Sequence, residues 1–159
     1  MGKDMRFDDR VAIVTGAGRG LGREHALYLA ARGAAVVVND VSADHAENTA
    51  ADIVATGGRA IADTHSVVDG ADSIVRHALA AFGRLDALVN NAGRGGPTGT
   101  IEDTTAAQVA TIVSTHMVGT YLMCRAAWPH MRAQQYGRVL ITSSAAAVGS
   151  LGMPAYAMA

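Results

Sequence analysis

The sequence predicts an α/β fold in which helices cover both faces of a doubly wound parallel sheet. Short runs of β-branched residues recur along the chain, segments with helical spacing of apolar residues separate them, and glycines stand at many of the junctions. Strands that alternate with helices form right-handed βαβ units, which bring the strands into one parallel sheet. We expect the strand order 3-2-1-4-5 and a single domain over residues 1–159.

The first half of the chain supplies three strands and two helices. Val11–Thr15 is a short run of apolar and β-branched residues that leads into glycines, and it predicts a buried strand. Gly20–Arg32 has helical spacing and is stopped by a glycine. Ala35–Asn39 predicts a second buried strand, and Ala43–Thr56 predicts a helix closed by two glycines. Arg59–Asp63 predicts a third, weaker strand.

The second half continues the alternation. The elements predicted there are a helix over Asp69–Phe82, a strand over Asp86–Asn90, a helix over Thr104–Gln134 and a strand over Arg138–Thr142. Gly119 and Pro129 are weak points of the long helix. The Gly/Pro-rich segment 93–100 follows the fourth strand, so we expect it to border a site at the carboxyl edge of the sheet.

Composition excludes several classes of function. The 13 basic and 14 acidic residues are mixed along the chain, so nucleic acid is not an expected partner. Cys124 is the single cysteine, and the six histidines are scattered, so neither an internal disulfide nor a metal site is predicted. No apolar run is long enough to span a membrane, and the charged start lacks the apolar region of a signal peptide. We therefore expect a cytoplasmic protein.

The loop between the first strand and the first helix is the strongest motif. Glycines at Gly16, Gly20 and Gly22 let the backbone turn tightly and bring N–H groups against a pyrophosphate at the positive end of a helix. Arg19 and Leu21 complete the G-x-x-x-G-x-G loop, which we predict to bind a dinucleotide. A purely structural turn is the alternative.

Asp40 follows the second strand, 24 positions after Gly16. A carboxylate there can accept hydrogen bonds from the adenosine ribose and would repel a 2′-phosphate, so the sequence favours NAD over NADP. Arg19 alone would favour NADP, but Asp40 would oppose the phosphate. A helix N-cap is the alternative role of Asp40, and Ser42 is a second candidate for that cap.

Together with the glycine loop, two further motifs, Asn90-Asn91-Ala92-Gly93 and Ser144 followed by Tyr156, resemble those of the short-chain dehydrogenase/reductase family. The resemblance extends over residues 7–159. It implies a Rossmann-type domain that holds NAD(P) together with a small alcohol or ketone substrate and that assembles as a homo-oligomer. Several stretches, among them Arg125–Met131, are similar to the (3R)-hydroxyacyl-CoA dehydrogenase domains of peroxisomal multifunctional enzymes, which implies a 3-hydroxyacyl thioester as one candidate substrate.

The resemblance also implies catalytic roles. Tyr156 matches the tyrosine that exchanges a proton with the substrate oxygen, and Ser144 matches the serine that hydrogen-bonds this oxygen. Counting forward from Gly137 favours Ser144, whereas counting back from Tyr156 favours Ser143; we choose Ser144 because loops absorb deletions and strand register does not. His116 stands where the family commonly has a proton-relaying asparagine, and simple helix packing is its alternative role.

The remaining implied roles concern the cofactor. Asn91 matches the asparagine that lies along the nicotinamide-side ribose, and Ala92 and Gly93 keep the backbone close to it. His65 stands where the family usually has an aspartate that binds adenine.

The family's catalytic lysine lies four residues after the tyrosine, at a position that would be 160, and the sequence stops at Ala159. We therefore expect a C-terminally truncated chain that lacks the outer strands and is inactive at this length. A catalytically incomplete nucleotide-binding fragment is the alternative to an active oxidoreductase.

Overall fold

The computed structural model describes residues 5–96, 98–149 and 152–159. The strands are β1 (Val11–Thr15), β2 (Ala35–Asn39), β3 (Arg59–Asp63), β4 (Ala87–Asn90) and β5 (Arg138–Ile141). The α-helices are α1 (Gly20–Ala30), α2 (Ala43–Ala55), α3 (Ala71–Phe82), α4 (Ala106–Val113), α5 (Thr120–Ala133) and α6 (Pro154–Met158). A π-helical turn spans Ser114–Gly119, and a 3₁₀ turn spans Ala145–Val148.

The strands form one parallel sheet in the order β3-β2-β1-β4-β5, which confirms the predicted fold class. Ile13 of β1 pairs with Val37 of β2 on one side and with Leu88 of β4 on the other. Every residue of β1 and β2 is buried, because helices cover both faces of the sheet there. This double burial explains why both strands are nearly continuous aliphatic runs rather than alternating ones.

Two apolar layers hold the helices on the sheet. On one face, Leu88 packs with Ile74 of α3 and Met123 of α5. On the other face, Val36 packs with the alanine-rich side of α1 and with Ile53 of α2. The sheet therefore separates two cores, and its carboxyl edge is held rigidly between them.

The predicted helix over 104–134 is divided in the structure. A π-helical turn separates α4 from α5 and ends at Gly119, one of the two predicted weak points. A Cβ on Gly119 would lie 2.6 Å from Cγ2 of Val67, so the absent side chain lets this turn approach the segment after β3. Pro129 lies inside α5 and does not end it. Single π turns of this kind often occur at functional sites.

The other predicted elements differ from the observed ones by at most two residues at each end, as boundaries of helices and strands usually do. Strand β5 lies at the edge of the sheet, and its four residues are exposed. No helix in the described part of the chain combines the length and the apolar character that a membrane span requires.

Candidate cofactor and active site

A groove of about 730 Å³ opens at the carboxyl ends of β1, β2 and β4. Nine of the ten residues predicted to bind the cofactor line it: Gly16, Arg19, Gly20, Leu21, Gly22, Asp40, Asn91, Ala92 and Gly93. The lining also includes residues that the sequence analysis did not single out: Asn39, Val41, Ser66, Val67, Val68, Arg94 and Thr115. The predicted loop, strand ends and acid thus surround a single groove.

The glycine loop needs its glycines for two different reasons. Gly16 and Gly20 have φ angles of +62° and +55°, which side chains rarely tolerate. A Cβ on Gly22 would overlap the carbonyl oxygen of Gly16 and would lie 2.5 Å from Nδ2 of Asn91. Arg19 precedes α1, and its side chain makes no capping hydrogen bond. The N–H groups of the first turn of α1 are thus left without a side-chain cap, as an anion site requires.

Thr15 connects the glycine loop to the end of β4. Its buried hydroxyl accepts hydrogen bonds from the backbone N–H groups of Asn91 (3.0 Å) and Ala92 (2.9 Å). In return, the Asn91 side-chain amide donates to the carbonyl oxygens of Thr15 (3.1 Å) and Gly16 (3.2 Å). The sequence analysis missed this role of Thr15, although the threonine stands directly before the glycines. These hydrogen bonds set the distance between the glycine loop and the end of β4, which form two sides of the groove.

Asp40 connects the glycine loop to the end of β2 through hydrogen bonds. One carboxylate oxygen accepts from the N–H of Gly18 and the other from the N–H of Ser42, both at 3.0 Å. Ser42 is the residue that precedes the first turn of α2, and its side chain makes no capping bond. Each carboxylate oxygen can accept a second hydrogen bond, so Asp40 retains capacity for a ligand hydroxyl.

Asp63, at the end of β3, binds the residue predicted to contact adenine. Its fully buried carboxylate accepts from Nδ2 of Asn39 (2.9 Å), the backbone N–H of His65 (3.0 Å) and Nδ1 of His77 (2.8 Å). The His65 ring lies 3.2 Å from the same carboxylate and does not line the groove. Burial raises the pKa of Asp63, but the bonds from His77, Asn39 and His65 outweigh it, so this pKa lies below its ordinary value. The adenine contact of His65 stays a prediction.

Two of the predicted catalytic residues meet beside the groove. The rings of His116 and Tyr156 lie perpendicular to each other with their centroids 5.4 Å apart. His116 belongs to the π turn, whereas Tyr156 belongs to α6, which packs against α4. Nε2 of His116 accepts a hydrogen bond of 2.9 Å from the backbone N–H of Arg94, a residue of the groove lining. The pair is therefore attached to the end of the groove that Gly93 and Arg94 form.

Ser144 lies at the start of the 3₁₀ turn, where its hydroxyl accepts from the N–H of Ala146 at 3.2 Å. This turn packs against α6, the helix of Tyr156. In the described part of the chain, no hydrogen bond joins Ser144 to Tyr156 or His116. Ser143 is exposed like Ser144, so the choice between the two serines stays a prediction.

Metal ligation has no candidate site in the ranges 5–96, 98–149 and 152–159, where no suitable group of three or more His, Cys, Asp or Glu side chains occurs. The Asp63 cluster is accordingly a set of hydrogen bonds between protein groups.

The family model described as short chain dehydrogenase matches residues 10–159. The chain belongs to the short-chain dehydrogenase family. The matched range includes the glycine loop, the Asn91 segment, His116 and Tyr156. The resemblance inferred from the sequence motifs is thus confirmed.

Relatives of this chain include multifunctional enzymes. The chain is 46% identical over 166 residues to peroxisomal multifunctional enzyme type 2 of Drosophila melanogaster, which covers 98% of this chain and 27% of that protein. It is 42% identical over 167 residues to peroxisomal multifunctional enzyme A of Dictyostelium discoideum, which covers 96% of this chain and 36% of that protein. The relatives are named as peroxisomal, and the cytoplasmic location expected from the sequence remains a prediction.

Solved structures share the fold of this chain. NAD⁺-bound xylitol dehydrogenase superimposes with a TM-score of 0.93 at 30% identity, over 97% of this chain and 60% of that one. A short chain dehydrogenase from Mycobacterium avium gives a TM-score of 0.89 at 38% identity, over 95% of this chain and 58% of that one. This chain therefore spans about three fifths of the length of these structures, and a smaller share of the multifunctional relatives.

Proposed function

We propose that this short-chain dehydrogenase uses NAD to interconvert a secondary alcohol and a ketone, with 3-hydroxyacyl thioesters as the first substrates to test. One observation supports the proposal above the others. The glycine loop, Asp40 and Arg94 line one groove, and the backbone of Arg94 is hydrogen-bonded to His116, whose ring contacts Tyr156. A groove large enough for a cofactor thus lies next to Tyr156, the side chain that we propose exchanges a proton.

The residues of the groove fit a dinucleotide. Gly16, Gly20 and Gly22 leave the backbone bare beside an uncapped helix start, where a pyrophosphate is stabilised by N–H groups and by the helix dipole. Asp40 offers carboxylate oxygens to a ribose. The groove volume also lies within the range usual for small-molecule sites. A nicotinamide ring, when bound, supplies the group that accepts or gives the hydride.

Side chains of the protein carry out the proposed proton transfer. We propose that the Tyr156 phenol exchanges a proton with the substrate oxygen while the Ser144 hydroxyl hydrogen-bonds to that oxygen. Nε2 of His116 lies 2.9 Å from the N–H and 3.1 Å from the carbonyl oxygen of Arg94. A neutral ring can therefore accept from the amide, and a protonated ring can donate to the carbonyl. His116 can stay bound in both protonation states, which suits a residue that relays protons to solvent.

Turnover of secondary alcohols tests the proposal directly. The protein as expressed from its gene is mixed with NAD and a panel of secondary alcohols that includes 3-hydroxyacyl thioesters, and formation of NADH is followed by absorbance. We expect at least one panel member to exceed a matched tertiary alcohol by about tenfold or more, since a tertiary carbinol has no hydride to give. Tight NAD binding without any turnover would instead support the catalytically incomplete nucleotide-binding fragment.

Replacement of Asp40 tests the choice of cofactor. We expect the unchanged protein to bind NAD at least tenfold more tightly than NADP, about 1.4 kcal/mol. Asp40→Ala should narrow this ratio mainly by improving NADP, because the carboxylate no longer repels the 2′-phosphate. Calorimetric titration with both cofactors measures the ratio, and Asp72→Ala, which removes an acid outside the groove lining, is the matched control. Equal affinities in the unchanged protein would refute the NAD assignment.

We also propose that the protein assembles as a homo-oligomer. Large apolar side chains are exposed on the π turn and α5, among them Met117, Tyr121 and Trp128. Exposed apolar side chains that share one surface are typical of interfaces.

A further inference from the structure

We propose that Arg94 binds an anionic group of the substrate, so that this enzyme selects secondary alcohols that contain a carboxylate or a phosphate. The inference rests on the proposed dehydrogenase function and adds a substrate class to it. Its basis is the position of Arg94 in the groove lining, the absence of an acidic partner among the described residues, and the glycines on both sides of Arg94.

The backbone of Arg94 is held next to the catalytic pair. Its N–H donates to Nε2 of His116, whose ring contacts Tyr156. Two residues later, a Cβ built on Gly96 would lie 2.9 Å from Cδ1 of Ile112 and 3.6 Å from the backbone nitrogen of Tyr156. Gly93 thus lies against His116 of the π turn, and Gly96 lies against α4 and α6. A long side chain that starts at Arg94 can reach the space in which the substrate of Tyr156 would lie.

Arg94 provides the only side chain of this segment, because residues 93, 95 and 96 are glycines. Within this segment, therefore, no other side chain flanks the guanidinium. A Cβ on Gly95 would meet no atom within 4 Å, so the space beside Arg94 is open. Arg94 itself is exposed and lines the groove.

The charge of Arg94 is not neutralised by an acidic side chain in the part of the chain that the structure describes. In the described ranges, no aspartate or glutamate forms an ion pair with it, whereas Arg10, Arg23 and Arg84 each have such a partner. Among the described residues, Asp40 is the only acid that lines the groove, and it is bound to the N–H groups of Gly18 and Ser42 beside the glycine loop.

An unpaired guanidinium in a groove attracts an anion. Its planar array of N–H donors matches the two oxygens of a carboxylate or phosphate, which it can bind through paired hydrogen bonds. Arg19 lies at the glycine loop, where a cofactor pyrophosphate is expected, so Arg94 is the groove cation available to the substrate. The shared chemistry is an oxyanion, on either the acid itself or a phosphate-bearing thioester.

Matched pairs of charged and neutral substrates test the inference. One pair is a 3-hydroxy acid and its methyl ester, and the other is a 3-hydroxyacyl thioester of coenzyme A and the uncharged N-acetylcysteamine thioester. For Arg94→Ala we expect kcat/KM to fall by about 10- to 100-fold for the charged member, mainly through KM, and by less than about threefold for the neutral one. Arg94→Lys should retain part of the activity because it keeps the charge but loses the planar fork. The pair that shows the larger loss identifies carboxylate or phosphate as the natural group.

The control is Arg132→Ala, which removes an exposed arginine of α5 outside the groove lining. Equal losses on charged and neutral substrates, or no loss at all, would overturn the inference. A weaker affinity for NAD in Arg94→Ala would also overturn it, because Arg94 would then serve the cofactor. If the unchanged protein turns over no substrate, the proposed function fails, and calorimetric binding of the charged and neutral members to both proteins then decides the role of Arg94 separately.

Discussion

Gly20→Val is expected to lower the affinity for NAD by about 100-fold or more and to leave the protein folded. A Cβ on Gly20 would meet no protein atom within 4 Å, so the folded protein has room for the added side chain. Gly20 nevertheless lines the groove, and a valine there would occupy space that the proposed pyrophosphate needs. A 100-fold loss corresponds to about 2.7 kcal/mol of binding free energy. Calorimetric titration with NAD measures the effect.

Gly57→Val is a control for the backbone strain that Gly20→Val introduces. Gly57 also has a positive φ, +84°, and open space around a Cβ, but it does not line the groove. Gly57→Val should therefore lower the free energy of unfolding by about 1–2 kcal/mol, as Gly20→Val should, while the affinity for NAD stays unchanged. Thermal unfolding measures this loss of stability. Gly22 would be a poor test, because a Cβ there overlaps Gly16 and disrupts the loop itself. If folded Gly20→Val binds NAD normally, the loop is only a structural turn.

The second large effect is expected at Tyr156. In the protein as expressed from its gene, Tyr156→Phe should lower turnover of secondary alcohols by about 1,000-fold, a typical loss when an acid–base group is removed. The substitution deletes only the hydroxyl and keeps the ring that packs against His116, so the local structure should persist. The affinity for NAD should change by less than about threefold, because Tyr156 does not line the groove.

Tyr28→Phe provides the control for this variant. Tyr28 lies on α1, is exposed, and packs under the guanidinium of Arg32 away from the groove, so loss of its hydroxyl should leave turnover unchanged. Circular dichroism of both variants checks that the overall content of helix and sheet is unchanged. Turnover that survives in Tyr156→Phe would remove Tyr156 from its catalytic role.

The sequence by itself predicted the parts of this protein that depend on local patterns. Buried strands such as Val11–Thr15 and Ala35–Asn39 are visible as aliphatic runs, because both faces of a parallel sheet are covered. The sheet order was predicted from the doubly wound class, which the alternation of strands and helices indicates. The glycine loop and Asp40 were also predicted, since bare backbone before a helix and an acid after the next strand are local features.

Tertiary structure alone decided which distant side chains meet. The perpendicular contact of His116 with Tyr156, the bonds of Thr15 to Asn91 and Ala92, and the pair of His77 with Asp63 join segments far apart in the chain. Such pairs depend on how helices pack on the sheet, and hydrophobic periodicity says nothing about them.

Tertiary structure also decided the position of the π turn. The pattern of residues 104–134 is that of one helix, and the turn arises where the absent side chain of Gly119 lets the helix approach Val67. His116 lies in that turn, beside Tyr156 and bonded to the backbone of Arg94. Packing, rather than local propensity, therefore placed the proposed proton relay and the groove arginine at one site.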